Sequence, residues 1–201
     1  MSVLHRETPE PRTLRTEISA INREFLRLLT HPALSNDRPV LGLEPAVLNS
    51  LRRLSQNQLQ QLAATPLLLV EFQSLRDVGT AEAPVPYVLD ATDRAWRAEL
   101  RRFADHVLTC LWQFARHNPS FVALTLGLDR EASQRLAAVG FTGLTRLAEP
   151  AYAGLRARLS QHQCCWPDLV RAARSGAQPT LDYARLSLIP MSLGHPSPQP
   201  R

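Results

Sequence analysis

The sequence comprises 201 residues with a formal net charge of +5 at pH 7, and 44% of its residues are hydrophobic, which suits one domain or two small ones. Leucine and alanine dominate while aromatic residues make up only 6%, a composition that favours a mainly helical protein. No signal-peptide pattern, no apolar stretch of transmembrane length and no C-x-x-C spacing occurs, so we expect a cytoplasmic protein without a membrane span or a disulfide framework.

The first predicted elements are a polar arm and a helix. Residues 1–15 contain Pro9 and Pro11 and are expected to be disordered. Apolar residues then recur at helical spacing from near Glu17. The dipeptide His31-Pro32 is expected to end this helix, because a residue before proline is disfavoured in the helical region.

Two short helices are predicted next, as a pair that resembles a helix-turn-helix. Pro45 fits the first turn of the first helix, and Ser55 is a good N-cap for the second. The apolar run at residues 65–72 is predicted to be a buried helix end or a strand. Residues 77–93, which contain Gly79, Pro84 and Pro86, are predicted to be a linker.

The second half repeats this organisation. A long helix is predicted from about Arg94 to His117, followed by two more short helices, with Thr142 as the expected N-cap of the last one. Residues 166–175 predict another helix that ends at Gly176. Residues 181–189 fit either a helix or a strand, and the tail from Pro190 is expected to be disordered.

The two halves are related by a fixed offset of 85 residues. Residues 41–66 align with residues 126–151 without a gap, and the apolar positions coincide. Duplication of one unit, a long helix followed by two short ones, explains this match. We therefore expect an all-α protein in which two tandem copies, at residues 16–76 and 94–160, pack as a pseudo-dimer and are followed by an extension at residues 161–201.

The first copy carries a set of polar and apolar residues at fixed spacing. These residues are Leu41, Gly42, Leu43, Asn49, Leu51, Ser55, Gln58, Leu59, Leu62, Ala63, Thr65 and Phe72, with the pair Ile21-Asn22 upstream. In this pattern the chain resembles FlhD, the family of flagellar master transcriptional regulators of enterobacteria. The chain is nearly twice as long as the family's members, and its second copy has Gln134 and Gly143 where the family has Asn and Gln.

The resemblance implies a helical protein that dimerises through an intertwined helical interface. It also implies activation of transcription together with a zinc-containing partner, FlhC, with DNA recognition belonging to the complex. Related regulators occur on integrative conjugative elements as well as in flagellar systems, so a flagellar role is not implied.

Eight arginines are candidate DNA contacts, since arginine suits both phosphate and base-edge recognition. They are Arg52, Arg53, Arg135, Arg146, Arg156, Arg158, Arg171 and Arg174. The alternative is that they belong to ordinary solvated helix faces.

The second long helix carries more large apolar residues than one stripe needs. They are Trp96, Phe103, Leu111, Trp112 and Phe114. A helix that is apolar beyond one face is buried on more than one side. This helix is therefore predicted to form an association surface with the other copy, a partner protein or a second chain, the alternative being a thick core.

No motif indicates catalysis, a metal site or a cofactor. The sequence has no phosphate-binding glycine loop, and the i, i+4 pair His106 and Cys110 supplies only two ligands. We therefore expect a non-enzymatic, FlhD-like regulator that acts with an FlhC-like partner at promoter DNA. The alternative is a helical interaction or adaptor protein of a secretion or conjugation apparatus that does not bind DNA.

Overall fold

The structure, a computed structural model, describes residues 11–34, 37–76, 94–126, 128 and 130–193. Within them the protein is mostly helical with one small sheet, which confirms the expected helical class. The predicted linker at residues 77–93, the first ten residues of the arm and the last eight residues of the tail lie outside the described residues.

The elements in chain order are α1 (Pro11–Leu29), α2 (Pro45–Arg52), α3 (Gln56–Ala63), β1 (Val70–Phe72), α4 (Gln73–Arg76), α5 (Arg94–His117), α6 (Pro119–Leu126), α7 (Arg130–Ala138), α8 (Phe141–Ala153), β2 (Leu155–Ala157), α9 (Cys165–Ser175) and α10 (Gln178–Leu193). The bounds of α5 are those predicted from its apolar spacing. Helix α6 was not predicted, and Leu41, which corresponds to its last residue Leu126 at the offset of 85, has a positive φ in the first half.

Two predictions for the termini are wrong. Helix α1 begins at Pro11 and not near Glu17, because Leu14 is buried and adds one more position to the apolar stripe. Pro11 is tolerated there because a first-turn residue needs no backbone donor. At the C-terminal end, residues 181–189, which fitted either a helix or a strand, form part of helix α10. This helix continues through Pro190 to Leu193, where a disordered tail was expected.

The start of α3 matches the predicted cap. Ser55 Oγ accepts a hydrogen bond from Gln58 N at 3.3 Å, and Ser55 N donates to Gln58 Oε1 at 2.8 Å, which forms a reciprocal capping box. The corresponding prediction in the second half is wrong. Helix α8 begins one residue earlier, at Phe141, so its N-cap is Gly140 and Thr142 lies inside the first turn.

Replacing Ser55 with alanine is expected to lower the free energy of unfolding by about 1 kcal/mol, because the backbone N–H of Gln58 loses its hydrogen-bond acceptor. Urea denaturation followed by circular dichroism measures this change. Ser187→Ala is the control, since the Ser187 hydroxyl bonds only to Ala184 O of its own exposed turn. Equal effects from the two substitutions would show that the cap contributes nothing.

One apolar core runs through both halves. Helices α1 and α5 pack antiparallel at its centre, since Arg27 of α1 pairs with Glu99 while the earlier Glu24 lies near the later His106. The ring of Phe25 stacks on that of Phe103 with centroids 5.8 Å apart. Burial of these large rings between the halves means that neither half has a separate core.

The small sheet joins the two halves. Strand β1 pairs antiparallel with β2, with Val70 opposite Ala157, Glu71 opposite Arg156 and Phe72 opposite Leu155. Glu71 and Arg156 are buried and form an ion pair with Arg156 Nε 2.6 Å from Glu71 Oε1. The ladder continues on both sides, from Gln73 N to Gly154 O at 2.9 Å and from Arg158 N to Leu69 O at 2.8 Å.

The C-terminal extension folds back onto the first half. Helix α9 packs against α2 and α3, and α10 packs against α9. Gly176 ends α9 in the left-handed region at φ 66°, as predicted for a glycine after the last turn. Trp166 of α9 reaches the centre, where its ring meets Phe25 edge-on and its indole N–H donates to Arg158 O at 2.8 Å.

Candidate nucleic-acid interface

Two of the eight candidate arginines lie in the interior. Arg156 and Arg158 are only 6% and 4% exposed. Arg156 bonds to Glu71 and also donates to Gln73 Oε1 at 3.1 Å, while Arg158 donates to Thr125 O. These guanidinium groups are enclosed by protein, so Arg156 and Arg158 do not fit the predicted role of phosphate contacts.

Two more candidates are half-buried and engaged within the chain. Arg52 Nη2 donates to Leu34 O at 2.8 Å, which ties the end of α2 to the loop after α1. Arg135 Nη1 pairs with Glu131 at 2.8 Å, one turn earlier on α7. Each keeps its positive charge, but part of its bonding capacity serves the local fold.

The structure brings three exposed arginines together at one edge of the first half. Arg174 Nη2 lies 3.4 Å from Ser50 O, so the end of α9 lies beside the end of α2, where Arg53 is the C-cap residue. Arg171 lies one turn before Arg174 and pairs with Asp168 at 2.9 Å. We call Arg53, Arg171 and Arg174 the basic edge. Arg146 is also exposed, but it lies on α8 in the second half.

The basic edge has a structural explanation as well as a functional one. Arg53 and Arg174 stand at the C-terminal ends of their helices, where a positive charge is favoured by the helix dipole. The Asp168 carboxylate also offsets part of the charge of Arg171. The basic edge is therefore suited to binding an anion. Its charges are also explained by the helix ends and by Asp168, so they do not require a bound anion.

A second polar surface was not among the sequence-based candidates. A groove of about 570 Å³ lies between α1 and α3 and is lined in part by Arg23, Arg27, Gln56 and Gln60. Arginine side chains read guanine edges and glutamine side chains read adenine edges, although Glu24 also lines this groove and Arg27 pairs with Glu99. The sequence signal was weak because these residues lie on two helices whose packing brings them together only in the folded chain.

The predicted association residues are used inside the chain. Trp96 is buried and its indole N–H donates to Leu28 O of α1 at 3.1 Å, and Phe103 stacks on Phe25. Leu111 is buried in the same core, while Phe114 is half-buried against it. Many of the large apolar residues of α5 therefore pack between the two halves of the chain. Contact with the other half is one of the alternatives that the sequence left open.

Trp112, the remaining association residue, faces the second pair of short helices. Its indole N–H donates to Val139 O at 2.7 Å, and the guanidinium of Arg116 lies 5.1 Å from the centre of its ring. The side chain is half-buried, so it anchors α5 to the turn between α7 and α8 while keeping one edge at the surface.

Two of the three cysteine thiols, those of Cys165 and Cys110, lie in settings that suppress reactivity. Burial raises the pKa of Cys165 from 9.0 to about 11, helped by the negative charge of Asp168. Burial first, and then the carboxylates of Glu17 and Glu24, raise the pKa of Cys110. Both groups remain protonated at neutral pH, and a protonated thiol is a poor nucleophile and metal ligand.

The described part of the chain has neither a membrane-spanning helix nor a cluster of metal ligands. None of its helices is long and apolar enough to cross a membrane. No group of three or more His, Cys, Asp or Glu side chains is placed there to hold a metal ion.

Comparison with known proteins adds no relative to this description. No protein-family model matches the chain, and neither a curated protein nor a solved structure matches it.

Proposed function

We propose that the chain is a fused dimer of two FlhD-like units, related by a pseudo-two-fold axis, that regulates transcription with an FlhC-like partner at promoter DNA. In this proposal the protein is cytoplasmic and not an enzyme. Fusion of two copies makes their association intramolecular, so the assembly no longer depends on protein concentration.

The pairing of β1 with β2 is the observation that carries this proposal. In a symmetric dimer, an antiparallel ladder that crosses the two-fold axis pairs the central residue with its own counterpart. Glu71 and Arg156 stand opposite each other and are separated by the repeat offset of 85 residues. On either side of this pair, Val70 pairs with Ala157 and Phe72 pairs with Leu155. Under the same offset Val70 corresponds to Leu155 and Phe72 to Ala157, so exchanging the two strands converts each of these pairs into the other.

Other contacts follow the same symmetry. Gln73 N donates a hydrogen bond to Gly154 O, and Arg158 N donates one to Leu69 O. At the same offset Gln73 corresponds to Arg158 and Leu69 to Gly154, so exchanging the two halves converts one bond into the other. Elements recur in the same order, α1, α2, α3, β1 and α5, α7, α8, β2, apart from α6 in the second half and the short α4 in the first. The antiparallel packing of α1 on α5 is compatible with a two-fold axis that passes between the two helices and exchanges them.

The DNA-binding part of the proposal is supported by charge. The chain is basic through arginine alone, and the basic edge combines with the groove between α1 and α3 to offer cations and amides on the first half. A surface of this kind binds phosphates and loses affinity as salt rises.

The alternative is an adaptor of a secretion or conjugation apparatus that does not bind DNA. It is favoured by the internal pairing of several arginines, among them the exposed Arg171 with Asp168 and the half-buried Arg135 with Glu131. Under this alternative the helical surfaces contact only protein.

An electrophoretic mobility shift separates the two functions. The chain, alone and with the co-expressed product of a neighbouring gene, is titrated against DNA from the surrounding promoters at two salt concentrations. We expect a sequence-preferring complex whose affinity falls about tenfold in the double variant Arg53→Ala, Arg174→Ala, because two phosphate contacts are lost.

Arg94→Ala, an exposed arginine at the start of α5, is the matched control and is expected to leave binding unchanged. Absence of a complex under every partner condition would contradict regulation and favour the adaptor. A complex that is insensitive to the basic edge would show that the DNA surface lies elsewhere.

A further inference from the structure

An apolar groove of about 160 Å³ lies between α7 and α8 in the second half. Its lining includes Leu136, Val139, Gly143 and Leu147, together with Arg135 and, from α4 of the first half, Leu75. A Cβ atom at Gly143 would lie 2.8 Å from Val139 Cγ1, so a larger residue there would require the Val139 side chain to shift. We call this feature the α7–α8 groove.

The matching surface of the first half is covered by a helix. Helix α9 lies on α2 and α3, where Gln58 Nε2 donates to Arg174 O at 3.2 Å and Arg174 Nη2 lies near Ser50 O. Under the repeat offset, Ser50 corresponds to Arg135 and Gln58 to Gly143, both of which line the α7–α8 groove.

Burial differs between the two halves as this covering requires. Leu54 and Leu62 of the first half are 6% and 0% exposed. Their counterparts Val139 and Leu147 are only half-buried, although they lie at the same positions of the repeat. The second half thus exposes the apolar seat that α9 covers in the first half.

We propose that the α7–α8 groove binds an amphipathic helix of the partner protein, one with the apolar pattern of α9 and an acidic side chain opposite Arg135. The proposal rests on the fused-dimer architecture proposed above and states where the partner of that function docks. Binding of one amphipathic helix between two others is a common mode of protein recognition.

The expected apolar pattern is taken from α9 itself. Trp166, Leu169, Val170 and Ala173 recur at i, i+3, i+4 and i+7, and all four are buried in the first half. A helix of this kind covers the groove walls with the same spacing.

The expected charge follows from the counterpart positions. In the first half the guanidinium of Arg174 meets the carbonyl of Ser50, a favourable contact. In the second half the same position holds Arg135, whose Nη1 pairs with Glu131 and whose side chain is 40% exposed. A basic helix would be repelled there, whereas a carboxylate would find a donor.

A designed peptide tests the proposal on the full-length chain. The probe is a fluorescein-labelled peptide with the sequence of Cys165–Ser175 carrying Cys165→Ser, Arg171→Glu and Arg174→Glu. Fluorescence anisotropy is expected to show saturable binding with a dissociation constant on the order of 10–100 µM. The same peptide with its arginines retained is expected to bind at least about fivefold more weakly.

Two variants of the protein locate the peptide. Leu147→Glu places a charge in the apolar wall and is expected to weaken binding about tenfold or more. Arg135→Glu, which changes a partly exposed side chain, is expected to weaken binding of the acidic peptide and to strengthen binding of the peptide that retains its arginines. Arg94→Glu, a charge reversal at an exposed arginine at the start of α5, is the matched control and is expected to change neither. Circular dichroism and melting verify that each variant is folded.

Three outcomes would overturn the proposal. The first is absence of saturable binding, and the second is binding that neither Leu147→Glu nor Arg135→Glu alters. The third is binding that appears only after residues 80–90 are replaced by glycine and serine, which would make this chain's own connecting segment the occupant. The peptide experiment uses no DNA, so its failure is distinguishable from the failure of DNA binding in the mobility shift.

Discussion

Replacing Arg156 with leucine is expected to lower the free energy of unfolding by about 3–5 kcal/mol, because it removes the cation that faces the buried Glu71 carboxylate. Both side chains are less than a tenth exposed, so water cannot substitute for the lost partner. Urea or thermal denaturation followed by circular dichroism measures the change. The surface variant Arg171→Leu, which removes only the exposed pair with Asp168, is expected to cost less than about 1 kcal/mol.

The double variants of this pair test the symmetry as well as the energetics. Glu71→Leu combined with Arg156→Leu is expected to lie within about 2 kcal/mol of the unmodified chain, since an apolar pair avoids the desolvation of two ions. The charge swap, Glu71→Arg with Arg156→Glu, is expected to recover at least half of the loss caused by Arg156→Leu alone. The proposed two-fold axis between the strands would make the two positions nearly equivalent. A swapped variant as unstable as the single one would contradict the pseudo-two-fold arrangement.

Replacing Asn22 with leucine is expected to lower the free energy of unfolding by about 3 kcal/mol or more. Asn22 is fully buried, and its Nδ2 lies 3.2 Å from both Ala63 O and Thr65 O and 2.9 Å from Leu67 O. Its Oδ1 accepts a hydrogen bond from Leu69 N at 2.8 Å. A leucine of similar size would leave these backbone groups buried without this partner.

Asn57→Leu is the matched control for this substitution. Asn57 lies exposed on α3, so the same exchange is expected to change stability by no more than about 0.5 kcal/mol. Chemical denaturation of both variants side by side gives the comparison. A cost for Asn22→Leu of less than 1 kcal/mol would show that the four contacts do not hold the segment between α3 and β1.

Asn22 also explains a difference between the halves. Helix α3 ends at Ala63, and the carbonyl groups after its last turn need donors, which Asn22 supplies. Helix α8 continues five residues further than the repeat predicts, to Ala153, so its own backbone satisfies the equivalent groups. The counterpart of Asn22 is the buried apolar Val107, which suits a position where no polar partner is required.

Local features of the structure were predictable from the sequence alone. The capping box of Ser55, the left-handed Gly176 and the bounds of α5 each depend on a few neighbouring residues whose backbone preferences agree. The offset of 85 residues was visible because equivalent apolar positions must be filled in both copies. The same local reasoning misplaced the cap of α8, where the structure uses Gly140 without a side-chain bond.

Tertiary structure alone decided which arginines are available to a ligand. Arg156 looks like a surface residue in the sequence because charged side chains are seldom buried. Its carboxylate partner lies 85 residues away, and only the pairing of the two strands brings them together. The groove between α7 and α8 likewise became visible only because α9 folds back across 116 residues to cover the matching seat on α3. Periodicity and capping act over a few residues, whereas burial and charge pairing depend on which distant segments meet.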